Sequence, residues 1–183
     1  VFKLDRNDTG FLADVVGLMV EAQPSVWEQI ECIGDVPEAA TPITVLISQR
    51  TGIPMLSPRV DSKSHGIAAS IVGAWQPGQS IMIIDDVRTT GDSAERVTAL
   101  CNSNGLKVTA VMALVDRGDP EGAPVAGLPF SSVFRWSQLL PFYRAAQLVP
   151  VGLFDRSVRY PAELAQHLAT CFLTCIHREF HQA

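Results

Sequence analysis

Four apolar residues in succession, Ile81, Met82, Ile83 and Ile84, run straight into two acids, Asp85 and Asp86. The run has neither the spacing of an amphipathic helix nor the alternation of a half-exposed strand, so it predicts a central parallel strand covered on both faces. Carboxylates at the carboxyl end of such a strand lie where open α/β sheets bind their ligands, and the pair is expected to face a crevice rather than a core. Val87, Arg88, Thr89, Thr90, Gly91, Asp92 and Ser93 then lead into Ala94, Val97, Leu100 and Cys101, which have helical spacing. Backbone N–H groups at that helix start, with the hydroxyls of Thr89, Thr90 and Ser93, make a socket for a phosphate dianion. The chemistry that suits this arrangement is a sugar phosphate, with the acids on ribose hydroxyls and the loop on a 5′-phosphate.

A chain of 183 residues fits one domain with a sizeable core. Hydrophobic residues make up 47% and charged residues 18%, with no apolar run near the length of a membrane span. Net charge is −5, and no lysine or arginine cluster is present, which argues against a general nucleic-acid binder. A phosphate must therefore be met locally. No signal peptide or basic targeting segment is visible. The chain begins at Val1-Phe2-Lys3 without a methionine, which leaves open residues ahead of it. Cys32, Cys101, Cys171 and Cys175 lack paired CxxC spacing; Cys171 and Cys175, near His167 and His177, could hold a metal or form a reduced, partly buried helix face. Reduced cysteines suit a cytoplasmic protein.

In chain order, Phe11, Leu12, Val15, Val16, Leu18 and Met19 predict an amphipathic helix capped by Asp8 or Thr9 and ended by Pro24. Trp27 to Gly34 alternates apolar with polar and reads as a short strand, followed by a loop from Gly34 to Pro42. A helix over about Ile43 to Arg50 has Gly52 as its C-cap. Ile53 to Leu56 is strand-like, and Arg59 to Ala69 has no period, the mark of a mobile loop. Pro77-Gly78 is a turn, and Asn102-Ser103-Asn104-Gly105 stops the helix after the central strand. Val108 to Val115 makes another buried strand ending in Asp116-Arg117-Gly118, Val133-Phe134 a small one, and Ser137 caps a helix carrying Leu139, Leu140, Tyr143 and Leu148. Pro161 opens a tail helix with Leu164, Leu168, Cys171, Phe172 and Cys175 on one face. Strands alternating with helices predict a mostly parallel α/β sheet with right-handed crossovers.

The stretch IIDDVRTTGDS resembles the phosphoribosyl pyrophosphate (PRPP) signature of type I phosphoribosyltransferases. SPRVDSKSHG, in which Arg59, Lys63, His65 and Gly66 match, resembles the basic loop of orotate phosphoribosyltransferases in particular. The likeness covers about Phe2 to Leu148. It implies a type I phosphoribosyltransferase domain over residues 1–150, with a central parallel sheet, flanking helices and a flexible active-site loop, and a helical extension over 151–183 packed on it. It implies that Asp85, Asp86, Val87, Arg88, Thr89, Thr90, Gly91, Asp92 and Ser93 hold PRPP. Lys63, Arg59 and His65 would close over the departing pyrophosphate, reaching into a neighbouring subunit of a homodimer. GDVPEAATPIT resembles the loop that offers N–H groups to pyrophosphate, which assigns Val36, Pro37, Glu38 and Ala39 to it. VDRGDPEG makes Arg117 the candidate for orotate recognition, with Thr89 and Phe2 near the ring. Arg117 equally suits a strand-end ion pair with Asp116 or Asp119. Mg²⁺ is implied on PRPP oxygens rather than on protein ligands.

The chain departs from the family pattern in places. Asp35 stands where the family has glycine, Glu38 puts an acid beside pyrophosphate, and Val60 replaces a second basic residue. Ala68, Ala69 and Val72 replace polar and acidic residues, and the upstream lysine that would bind orotate has no match. Two classes of function follow. One is transfer of the phosphoribosyl group of PRPP to orotate, giving orotidine 5′-monophosphate in pyrimidine synthesis. The other is a paralogue that acts on a different base, or a non-catalytic regulator that binds PRPP or a nucleotide.

Overall fold

The computed structural model describes residues 9–59, 71–118 and 120–145. Its elements are α1 (Thr9–Ala22), α2 (Pro24–Trp27), β1 (Cys32–Asp35), α3 (Thr41–Thr51), β2 (Met55–Pro58), β3 (Ile71–Val72), β4 (Ser80–Arg88), α4 (Asp92–Ser103), β5 (Lys107–Asp116), β6 (Phe130–Arg135) and α5 (Trp136–Ala145). The strands form one sheet in the order β3-β2-β1-β4-β5-β6. Every neighbouring pair is parallel except β2 with β3.

The unbroken apolar run of β4 has a direct packing cause. Ile81 and Ile83 enter a core with Ala94, Val97 and Cys101 of α4, while Met82 and Ile84 enter a second core with residues of α1 and α3. All four are 0% exposed, so a polar residue on either face would lose its water without a partner. From β1 the chain proceeds outward to β2 and β3, then returns to place β4 on the other side of β1. The crevice at the carboxyl ends of β1 and β4 is therefore the point where strand order reverses, the usual ligand position in such a sheet.

Several elements differ from the sequence reading. Trp27 belongs to α2, not to a strand; its ring is buried and its Nε1 donates to the Val20 carbonyl at 3.0 Å, pinning it to α1. Pro24 thus opens a short helix as well as following one. Strand β1 starts at Cys32 and is buried throughout rather than alternating, because it lies inside the sheet between β2 and β4. Helix α3 begins at Thr41, with Pro42 in its first turn where no N–H is needed, and ends at Gly52 with φ 74° as its spacing predicts. Strand β2 is displaced to Met55–Pro58, and the antiparallel edge strand β3 has too short an apolar signal to be read. Strand β6 is longer than Val133-Phe134, since its pairing with β5 runs from Phe130 to Arg135.

Ser137 does not cap α5. Its N–H donates to Glu121 Oε1 at 2.7 Å and its hydroxyl donates to the other oxygen of the same carboxylate, so an acid from the preceding loop takes that place. Strand β4 also continues through the acids to Arg88, held by β5 pairing as far as Arg88 with Asp116. Asp8, Leu148, the tail helix, the 151–183 extension, and Cys171, Cys175, His167 and His177 lie outside the described residues. No helix among the described residues is long and apolar enough to cross a membrane.

Candidate active site

Because β1, β2 and β4 are parallel, the segments that follow them emerge at one edge of the sheet. There a cavity of about 520 Å³ is lined by Val36, Pro37 and Glu38 after β1, Thr41 of α3, Ser57 and Arg59 of and after β2, and Ser93, Arg96 and Val97 of α4. In sequence the lining runs from Val36 to Val97. Glu38, Arg59, Ser93 and Arg96 are exposed, so each polar head is available to a ligand.

Asp35 sits at the end of β1, fully buried. Its Oδ1 accepts from Ser57 Oγ at 3.0 Å, and its Oδ2 accepts from the Thr41 hydroxyl. The acid that departs from the family pattern is thereby tied into the wall, joining β1, α3 and β2, and it does not project into the cavity as a bare charge.

The paired acids are more enclosed than a crevice position predicts: Asp85 is 5% and Asp86 8% exposed, and neither lines the cavity. The extension of β4 accounts for this, since both acids lie within the paired strand. Asp86 N donates to Asp85 Oδ1 at 2.9 Å and Val87 N to Asp86 Oδ1 at 2.8 Å. Burial, then repulsion from Asp86, holds the Asp85 carboxyl well above the usual carboxylate range. Burial also raises Asp86. The two acids are adjacent and titrate as a pair, with burial pushing both upward.

The phosphate loop follows at once. Thr89 and Thr90 are exposed, Gly91 takes φ 94° and caps α4, and Asp92 and Ser93 open the helix. A side chain at Gly91 would meet Val125 Cγ1 at 3.2 Å, so the loop between β5 and β6 presses directly on this turn. Gly91 has no side chain to cap α4, and Asp92 N makes a long contact of 3.4 Å to Thr90 Oγ1. The next amides, of Ser93 and Ala94, are left for water or an anion.

Arg88 takes another direction. Its Nη1 donates to Asp116 Oδ1 at 2.9 Å and to the Pro120 carbonyl at 3.1 Å, and its guanidinium lies 5.1 Å from the Phe130 ring centroid. Arg117 is also buried, 5.8 Å from the Trp136 ring centroid, and burial lowers its pKa. The strand-end pair foreseen for Arg117 and Asp116 is made by Arg88, while Asp119 lies outside the described residues. Neither arginine lines the cavity.

Of the nominated residues, the cavity unites Val36, Pro37, Glu38, Arg59 and Ser93; Ala39 is half-buried beside them. Phe2, Lys63 and His65 lie outside the described residues, as does Val60. The cavity adds Thr41, Ser57, Arg96 and Val97 to the nominated residues. Ser93, Arg96 and Val97 share one helix face by their spacing, while Thr41 and Ser57 lie within the two loop motifs without a signal of their own beyond membership of them. Among the described residues no group of three or more His, Cys, Asp or Glu is arranged to hold a metal ion.

A parallel sheet with this strand order, an acid pair at the end of its central strand and a glycine-capped helix beyond it define a type I phosphoribosyltransferase fold, as its structural neighbours do. The chain superposes on a Leishmania donovani UMP synthase with a TM-score of 0.69 and 27% identity, over 87% of this chain and 34% of that one. It superposes on the Mycobacterium tuberculosis orotate phosphoribosyltransferase in complex with PRPP with a TM-score of 0.54 and 25% identity, over 70% and 75%. Among curated proteins it is 39% identical over 84 residues to the orotate phosphoribosyltransferase of Aquifex aeolicus, covering 45% of this chain and 46% of the relative. No family model matches. The chain spans about half the length of most of the curated relatives it matches best. In sequence and fold the chain is similar to orotate phosphoribosyltransferases.

Proposed function

We propose that the chain is an orotate phosphoribosyltransferase, joining orotate to the ribose of PRPP with release of pyrophosphate, as a step toward UMP. The observation that carries this reading is the cavity at the strand-order reversal, where Pro37 and Glu38 after β1, Arg59 after β2 and Ser93 of α4 converge. In the reaction a ring nitrogen of orotate forms a bond to the anomeric carbon as the bond from that carbon to pyrophosphate oxygen breaks, through a cationic sugar.

Positioning and electrostatics do the work. Asp85 and Asp86 hold the ribose hydroxyls, accepting hydrogen bonds from them. Val87, Thr89, Thr90, Gly91, Asp92 and Ser93 cradle the 5′-phosphate, with Arg88 holding the end of the strand that presents them. N–H groups of the Val36–Ala39 loop meet the diphosphate. Arg59, with Lys63 and His65, stabilises it as it departs. Arg117 and Thr89 recognise orotate, with Phe2 against the ring. Magnesium, carried on the substrate, would neutralise the diphosphate, and Glu38 on the cavity wall is the carboxylate that would take its waters.

The proposal includes a homodimer, because the basic loop with Lys63 and His65 resembles one that reaches into a neighbouring subunit. It includes a cytoplasmic location, which two buried free thiols, Cys32 and Cys101, support. The test is pyrophosphate release from PRPP with orotate, uracil and hypoxanthine supplied in turn. Release with orotate alone is expected; release with another base, or PRPP binding without turnover on any, overturns the assignment.

A further inference from the structure

We infer that Arg96 is a second diphosphate-binding cation, fixed on α4 opposite the Pro37–Glu38 loop, and that with Arg59 it grips the pyrophosphate end of PRPP. This rests on reading the cavity as the diphosphate subsite. Three lining residues carry charge, Glu38, Arg59 and Arg96, so two guanidiniums face one carboxylate. Behind the wall the Asp35 carboxylate is buried and engaged by the Thr41 and Ser57 hydroxyls; of the charges that reach the cavity surface, Glu38 and Arg59 cancel, and Arg96 tips that exposed set toward a polyanion. Guanidiniums suit this ligand because their planar forks bond phosphate oxygens two at a time.

The placement of Arg96 is decided by its neighbours. Ala94 is 1% and Val97 0% exposed, both packed into the core under α4, so that helix face is locked to the sheet. Arg96 stands between them in sequence, exposed, with Nη2 3.5 Å from Ser93 Oγ, a contact too long to hold the head firmly. Its backbone is fixed while its guanidinium is left to the ligand. A cation on a packed helix needs no loop closure to reach position, so less conformational freedom is lost when the anion binds. It also supplies a basic group in a chain whose sequence has Val60 in place of a second basic residue.

The test measures binding of magnesium pyrophosphate and, separately, ribose 5-phosphate to the full chain by calorimetry, for the wild type, Arg96→Gln and Arg50→Gln. Arg50, paired with Glu21 at 3.3 Å on the surface, controls for the loss of one charge. Arg96→Gln is expected to weaken pyrophosphate about tenfold or more, to leave ribose 5-phosphate within about twofold, and to keep the thermal midpoint. Arg50→Gln is expected to change neither ligand. Unaltered pyrophosphate affinity in Arg96→Gln, an equal loss in Arg50→Gln, or a loss confined to ribose 5-phosphate overturns the inference while the proposed function stands. A wild type that binds neither ligand overturns both.

Discussion

Arg88 and Asp116 face each other across the carboxyl ends of β4 and β5, Nη1 2.9 Å from Oδ1, in a pair that is 6% and 0% exposed at the side chains. Asp116 also accepts from the N–H groups of Gly118 at 2.9 Å and Gly122 at 2.5 Å, so one carboxylate folds the start of the β5–β6 loop around itself. That loop carries Val125 to Gly91. The pair is thus the strut behind the phosphate turn. Removing one partner leaves an uncompensated buried charge, and Arg88→Met is expected to lower unfolding free energy by about 3–5 kcal/mol in urea titrations. A loss below about 1 kcal/mol would show that the loop does not depend on it.

The acid pair trades stability for binding. Burial and mutual repulsion raise the folded-state pKa of Asp85 above its unfolded value near 3.8, so its favourable contribution is present below that value and is lost as pH rises through the folded pKa. Asp85→Asn removes that penalty. Its stability relative to the wild type should increase between pH 4 and 8, read as a widening gap in urea midpoints, while PRPP affinity falls by about 10- to 150-fold. A pH-independent gap would place the Asp85 proton elsewhere.

Gly91 is held at φ 94° with Val125 against it, so Gly91→Ala meets both backbone strain and a tight contact. A cost of about 1–2 kcal/mol is expected, with weakened ribose 5-phosphate binding. Val125→Ala in the same chain should recover the part due to the contact and leave the part due to the dihedral. Full recovery in thermal scans would assign the whole effect to crowding.

Arg59 is exposed on the cavity wall and needs no folding role there. Arg59→Ala should leave the urea midpoint unchanged and lower kcat/KM for PRPP by about 10- to 150-fold, with the KM for orotate little altered. An equal rise in orotate KM would place this arginine at the base.

Much of the site was written in contiguous stretches. The central strand, the paired acids and the glycine turn are local in sequence, and their apolar run, carboxylates and helical spacing each state a physical requirement without reference to any distant residue. Other features had no such signature. A strand reads as ending at its first charge, yet β4 runs on because Arg88 finds Asp116, 28 residues away. Ser137 reads as a cap, and Glu121 takes the role from a loop that sequence places only as irregular.

The amino-acid order by itself determined that a two-faced parallel strand would end in acids beside an anion-binding turn, since burial on both faces and the left-handed dihedral at Gly91 restrict which residues can stand there. Which charges share the cavity was decided only when the chain folded. Glu38, Arg59 and Arg96 follow three different strands, and parallel pairing of β2, β1 and β4 is what brings the segments after them to one edge of the sheet.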